Sequence, residues 1–227
     1  MSTLHNPSVI FDLDGTLVDS EPNYWEAGRR LLAEYGVTDY DWAQHSRFIG
    51  ISTRETLETL RAEYGIEAPV ETLLDGKNRH YLALARGGTE VFPEMRTLVE
   101  LLHAEGVPMA VASGSSRAAI EAVLAATGLD ALIPVTVSAD EVERGKPAPD
   151  VFLAAAGRLG SAPGDCVVME DAAPGAAAAH AAGMRCVAIP YVAATAGDPA
   201  FATADLLYPG GQGEFTAAAA YAWLRSL

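Results

Sequence analysis

Residues 9–21, VIFDLDGTLVDSE, end a short β-prone apolar run in two carboxylates, Asp12 and Asp14, one residue apart. Like charges that close repel, and burial sharpens the repulsion, so something must compensate. Polar groups also close the later apolar runs. Ser113 and Gly114 follow MAVA, Lys146 lies between Gly145 and Pro147, and Glu170 and Asp171 end CVVM. Clustered carboxylates without His or Cys suit a hard cation with oxygen ligands, so Mg2+ fits better than zinc. The five histidines are scattered without metal-ligand spacing. A cation, a carboxylate nucleophile, a hydroxyl and a lysine together describe phosphoryl transfer. An aspartate can attack phosphorus and form an aspartyl-phosphate. The charge on the equatorial oxygens is then met by the cation, the ammonium and hydrogen-bond donors.

Each residue alone has a plainer explanation. An aspartate after a strand can be a turn residue, and Ser113 can cap the helix beginning near Arg117. Lys146 can be a solvated loop lysine, and Glu170 and Asp171 can be charges favoured at a helix N-terminus. The joint placement of all of them at strand ends favours chemistry.

The elements needed to hold these residues together are legible. Strands are expected at 9–11, 109–112, 135–137, 167–169 and 187–189, with helices at 94–105, 117–127, 150–159 and 175–182. Short buried strands alternating with helices indicate a Rossmann-like, doubly wound parallel sheet covered on both faces, an α/β fold. Ligands of such sheets bind beyond the carboxyl ends of the strands, where the polar residues fall. Between the first and second strands the pattern is helical. Tyr24, Leu31, Leu32 and Tyr35 share one face of a helix that stops at Gly36, Ser52 and Glu55 form a capping-box pattern, and a third helix over 70–86 ends in a glycine pair, a candidate hinge. The alanine tracts, 217–220 among them, read as close-packed helices.

The segments DLDGTLVDSE, VASGSS, GKPAPD and MEDAAPG, in that order, resemble the four motifs of the haloacid dehalogenase superfamily. Within it the chain is similar, over essentially its whole length, to the β-phosphoglucomutase-like phosphatases, which insert a helical cap after the first motif. The resemblance implies a core domain of residues 1–19 and 90–227 and a cap of residues 20–89. It implies that Asp12 is the nucleophile and Asp14 the general acid/base. Mg2+ would be held by Asp12, Asp171 and the backbone carbonyl of Asp14, with Glu170 acting through a metal-bound water. Ser113, Gly114 and Lys146 would bind the transferring phosphoryl group. Asp14 argues against dehalogenases and phosphonatases, which lack an aspartate at its position. Phosphosugar mutases of the β-phosphoglucomutase type are the alternative. Their cap carries a histidine where this chain has Tyr24, and Arg54 is one residue displaced from their arginine, although Lys77 looks like their cap lysine. Tyr24, Arg54 and Lys77 are the candidate specificity residues, and hydrolysis of a small phosphorylated metabolite, a sugar phosphate by preference, is the expected activity.

Composition narrows the partners. The chain has 227 residues, half of them hydrophobic, and a formal net charge of −15, which disfavours nucleic acid and anionic membrane. Cys166 and Cys186 read as buried free thiols. The opening MSTLHNP lacks the basic and apolar segments of a signal peptide, and no strongly apolar run is long enough to span a bilayer. A cytoplasmic monomer acting on a small phosphate ester is therefore expected.

Overall fold

A computed structural model describes residues 7–49 and 51–227. The MSTLHN segment, read above for the absence of a signal sequence, lies outside the described residues.

The chain opens with β1 (Ser8–Phe11) and a short β2 (Val18–Asp19), then four helices, α1 (Glu21–Glu34), α2 (Trp42–Ser46), α3 (Thr53–Glu63) and α4 (Val70–Gly87). It continues through β3 (Glu90–Val91), α5 (Pro93–Ala104), β4 (Met109–Ser113), α6 (Arg117–Thr127), β5 (Val135–Ser138), α7 (Asp150–Leu159), β6 (Cys166–Glu170), α8 (Ala173–Ala181), β7 (Arg185–Ala188), β8 (Leu206–Leu207) and α9 (Ala217–Leu224). Six strands form one sheet in the order β5-β4-β1-β6-β7-β8, every pairing parallel. The expected parallel α/β sheet is what forms. Because β4 and β6 lie on opposite sides of β1, the winding reverses at β1, and a crevice opens beyond its carboxyl end. Asp12 is the next residue.

Alternation along the strands divides the core. Val9 and Phe11 face one layer with Val111, Val167, Met169 and residues of α5, α6 and α9. Ile10 faces the other with Ala110, Val168, Cys186 and residues of α7 and α8. On α8, Ala176, Ala178 and Ala179 are fully buried, the close packing that the alanine-rich sequence implied. Both cysteines are buried and free.

The inserted helices have an apolar cluster of their own, built on Leu31, Leu32, Tyr40, Phe48, Leu57, Leu60, Ile66 and Leu73. They also meet the sheet layer, since Ala27, Tyr81 and Ala85 pack in one cluster with Leu13, Leu17 and Val18. Two-residue β2 and β3 pair antiparallel across the two chain crossings, and Asn23 Nδ2 donates to the carbonyl of Gly88 at 3.2 Å beside them.

Some local expectations change. Tyr35 is 37% exposed because α1 ends at Glu34 and Tyr35 sits in the C-cap, outside the helical register. Ser52 caps α3 through the Glu55 amide at 3.3 Å, but the reciprocal capping box forms at Asp41 and Gln44 instead, opening α2. Elements of two to five residues (β2, β3, β8 and α2) are too short to carry a hydrophobic period and have no counterpart in the sequence reading.

Leu31 on α1 is fully buried and meets α4 at Gly76, where a side chain would collide with its Cδ1. Leu31→Ala should cost about 2–5 kcal/mol, read as a lower urea midpoint. A loss below about 1 kcal/mol would mean that α1 and α4 are not held by this contact.

Candidate active site

The end of β1 is fixed before any chemistry is considered. The Asp12 amide donates to the Met169 carbonyl at 2.9 Å, extending the β1–β6 ladder by one residue. Gly15 then turns back at φ +82°, a left-handed conformation that glycine adopts without strain. A side chain there would collide with the carboxylate of Asp171. Gly175, in the first turn of α8, leaves similar room for Glu170. The two carboxylates at the end of β6 therefore reach β1 because two glycines make way.

Asp12 is buried, and Lys146 Nζ donates to its Oδ1 at 2.5 Å and to Glu170 Oε2 at 2.7 Å. The same ammonium lies 4.9 Å from the centre of the Phe152 ring. Glu170 also accepts from the Ala172 amide at 3.2 Å, and Thr16 donates to Asp171 Oδ1 at 3.1 Å. Oxygens of Asp12, Glu170 and Asp171 lie within 4.8 Å of one another, an all-oxygen donor set of the kind a hard divalent cation takes.

Asp14 faces elsewhere. Its Oδ2 accepts from Ser115 at 2.6 Å and from Ser113 at 3.4 Å, and its Oδ1 accepts from Tyr81 at 3.2 Å. The side chain of Asp14 is thus outside the three-carboxylate cluster. The two aspartates that begin the motif occupy separate environments, one against an ammonium and one among hydroxyls.

Electrostatics reflects this division. Burial pushes the Asp12 carboxyl up to about 8; Lys146 opposes the shift, while Glu170 and Asp14 add to it. Asp171 is raised well above the usual carboxylate range by burial, then by Glu170 and Asp12. Burial pulls Lys146 down, but Asp12 and Glu170 together outweigh it and hold the ammonium above the ordinary lysine range. With Lys146 as the cation beside these three carboxylates, burial and mutual repulsion favour the protonated forms of Asp12 and Asp171, and a second cation would favour the charged ones.

The specificity candidates separate. Tyr24 stacks on Tyr81 with ring centroids 4.3 Å apart, and its hydroxyl is 3.0 Å from Ser115 Oγ. Lys77 is buried, with Nζ 5.5 Å from the Tyr24 ring centre; burial lowers it to about 8 against the pull of Glu21. Arg54 is paired with Glu71 at 2.8 Å on the exposed surface of the inserted helices. Tyr24 and Lys77 are thus drawn into the layer over Asp14, and Arg54 is not. Ser113 does not cap α6, because Ser116 does so through Ala119 at 3.3 Å; Ser113 is buried and accepts from the Ser115 amide at 3.0 Å. Gly114 is exposed beside it.

A sequence profile described as haloacid dehalogenase-like hydrolase matches residues 9–189, from β1 to just past β7. The chain belongs to that family. It is an enzyme, a hydrolase acting on phosphate esters. It is 37% identical over 179 residues to the fructose-1-phosphate phosphatase YqaB of Escherichia coli, covering 79% of this chain and 94% of that one. It is 35% identical over 186 residues to a bifunctional riboflavin kinase/FMN phosphatase of Arabidopsis thaliana; the match takes in 80% of this hydrolase but only 48% of that longer protein. A crystal structure of a putative β-phosphoglucomutase from Thermotoga maritima superposes with a TM-score of 0.74 at 29% identity, covering 89% of this hydrolase and 94% of that chain. The resemblance to β-phosphoglucomutase-like members of the family therefore holds.

Four contacts of this hydrolase escaped sequence reasoning. Thr16 and Ser115 lie inside the quoted segments but are assigned no role there. Tyr81 sits in the middle of an amphipathic helix and carries no signal at all. Gln212 is nearly two hundred residues from the first motif, yet its Nε2 donates to the carbonyls of Gly15 at 3.3 Å and Thr16 at 3.0 Å.

The raised Asp12 carboxyl makes stability depend on pH. From the usual value of 3.8 up to about 8, the folded chain holds a proton that the unfolded chain has released. Stability should therefore be full below the lower value and fall as pH rises through the higher one. In excess chelator, the melting temperature should drop between about pH 5 and pH 8.5, and Asp12→Asn should flatten the drop. An unchanged slope in the variant would remove Asp12 as its source.

Proposed function

We propose that this hydrolase is a Mg2+-dependent phosphatase of small phosphorylated metabolites, sugar phosphates above all, working through an aspartyl-phosphate on Asp12. The observation that carries the reading is the separation of the two aspartates: Asp12 is held by Lys146, while Asp14 is held apart among hydroxyls. The relative that acts on fructose 1-phosphate supports the substrate class.

Asp12 attacks phosphorus, forming a bond from its carboxylate oxygen as the bond to the ester oxygen breaks. The electron pair leaves with that oxygen, and Asp14 supplies the proton it needs. In the second step a water attacks phosphorus, Asp14 takes its proton, and the carboxylate of Asp12 departs. Lys146, Ser113 and the Gly114 backbone bind the phosphoryl oxygens. Asp12, Asp171 and Glu170 would hold Mg2+ with the backbone carbonyl of Asp14; when bound, the ion neutralises the charge gathered on the phosphoryl group and the carboxylates. The all-oxygen donor set, three carboxylates beside the Lys146 ammonium, fits such an ion.

Residues 20–89 serve as a cap over the core formed by 1–19 and 90–227, closing on the substrate and excluding bulk water. Mutase action needs a cap that retains a second phosphate while the phosphoenzyme waits. The Arg54 guanidinium is engaged by Glu71 and the Tyr24 hydroxyl by Ser115, so hydrolysis is favoured, with Lys77 left to meet the far end of the substrate. The enzyme works as a monomer in the cytoplasm.

A panel of phosphate esters with Mg2+ tests the reading. Phosphate should be released from sugar phosphates. With β-glucose 1-phosphate and a trace of the 1,6-bisphosphate, little glucose 6-phosphate should form; its rapid formation without free phosphate would establish a mutase. Asp12→Asn should lower turnover by about a thousandfold or more, and retention of about a tenth of the rate would exclude Asp12 as nucleophile. Chelator should abolish turnover and Mg2+ restore it, with Ca2+ a poor substitute because its larger, looser shell displaces the nucleophile.

A further inference from the structure

Asp14 must present a proton to one oxygen of the substrate, and a carboxyl free to rotate does this poorly. Here both of its oxygens are engaged. Ser115 donates its only hydroxyl hydrogen to Oδ2, so the Tyr24 hydroxyl, 3.0 Å away, is left to donate to Ser115. Tyr81 donates to Oδ1. The two tyrosine rings stack, and Tyr81 is buried, so the pair is fixed by packing as well as by its hydrogen bonds. Ser115 follows β4, whereas Tyr24 and Tyr81 come from α1 and α4 of the inserted helices. The orientation of Asp14 therefore depends on two parts of the chain meeting.

We infer that Tyr81 and Ser115, the latter backed by Tyr24, are positioning residues for Asp14, so that the acid is set for the leaving oxygen only when α4 is seated over the end of β1. The inference rests on the phosphatase reading above and deepens it. Asp14 gives its proton to the ester oxygen as the P–O bond breaks; Tyr81 and Ser115 keep their own protons and fix only the direction of the transfer.

Leaving groups distinguish this role from a merely structural one. An alkoxide needs the proton as it departs, whereas para-nitrophenolate leaves without it. Tyr81→Phe and Ser115→Ala should each lower kcat/KM for β-glycerol phosphate by about ten- to hundredfold while changing that for para-nitrophenyl phosphate by less than about threefold. Ser115→Thr, which keeps the hydroxyl, should restore the alkyl ester rate. Thermal melts within a few degrees of wild type establish that the variants fold. Equal losses on both esters, or no loss on either, overturn the positioning role and leave the phosphatase standing. Wild-type protein inactive on both esters with Mg2+ overturns the phosphatase reading, and this inference with it.

Discussion

The contact between Lys146 and the buried pair Asp12 and Glu170 is the constraint to which the rest of the site answers. Three carboxylates at the mouth of a buried sheet would repel one another if left unscreened. The ammonium, donating at 2.5 and 2.7 Å, ties two of them together and leaves Asp171 beside them. Breaking such a pair by removing one partner strands a charge in a poorly solvated place, at a cost of about 3–5 kcal/mol. The loop that carries Lys146 is thus bound to the sheet by the same interaction that holds Asp12. The glycines at 15 and 175 belong to this arrangement, because any side chain there would push Asp171 or Glu170 out of reach.

The second aspartate shows how one short motif creates two environments. Asp12 and Asp14 differ in surroundings because the strand ends between them. Asp12 continues the β1–β6 ladder and points into the carboxylate cluster, while Asp14 lies in the following turn and points at Ser113, Ser115 and Tyr81. An ammonium favours the charged form of the first. Hydroxyls, which can donate or accept, suit the acid/base role proposed for the second. The two carboxylates thus stand one residue apart with different partners.

Most of the sheet was legible because buried parallel strands announce themselves as short apolar runs, and each polar residue at their ends was visible as a break in hydrophobicity. The all-oxygen cluster followed from the types of residue alone. Less visible were contacts that depend on where a helix lands. Tyr81 is one amphipathic position among several on α4, and only the seating of α4 brings its hydroxyl to Asp14. Arg54 had the charge to suit a second anion, yet Glu71 claims it, a pairing set by how α3 and α4 cross. Tyr35 looked apolar-facing until the end of α1 fell one residue before it. In each case the missing information was tertiary.

Gln212 adds a dimension of time. Its amide holds the carbonyls of Gly15 and Thr16, the turn that separates the two aspartates, and the neighbouring Gly211 sits against the Pro190 carbonyl where no larger residue would fit. The first motif is synthesised well before the residue that braces it, nearly two hundred positions later. Closing so long a loop is slow, since its entropy must be lost before the contact is gained. A nascent chain carrying every acid and base of the site would still have an unbraced turn. Until Gln212 is made and docked, the turn at the two aspartates lacks this brace.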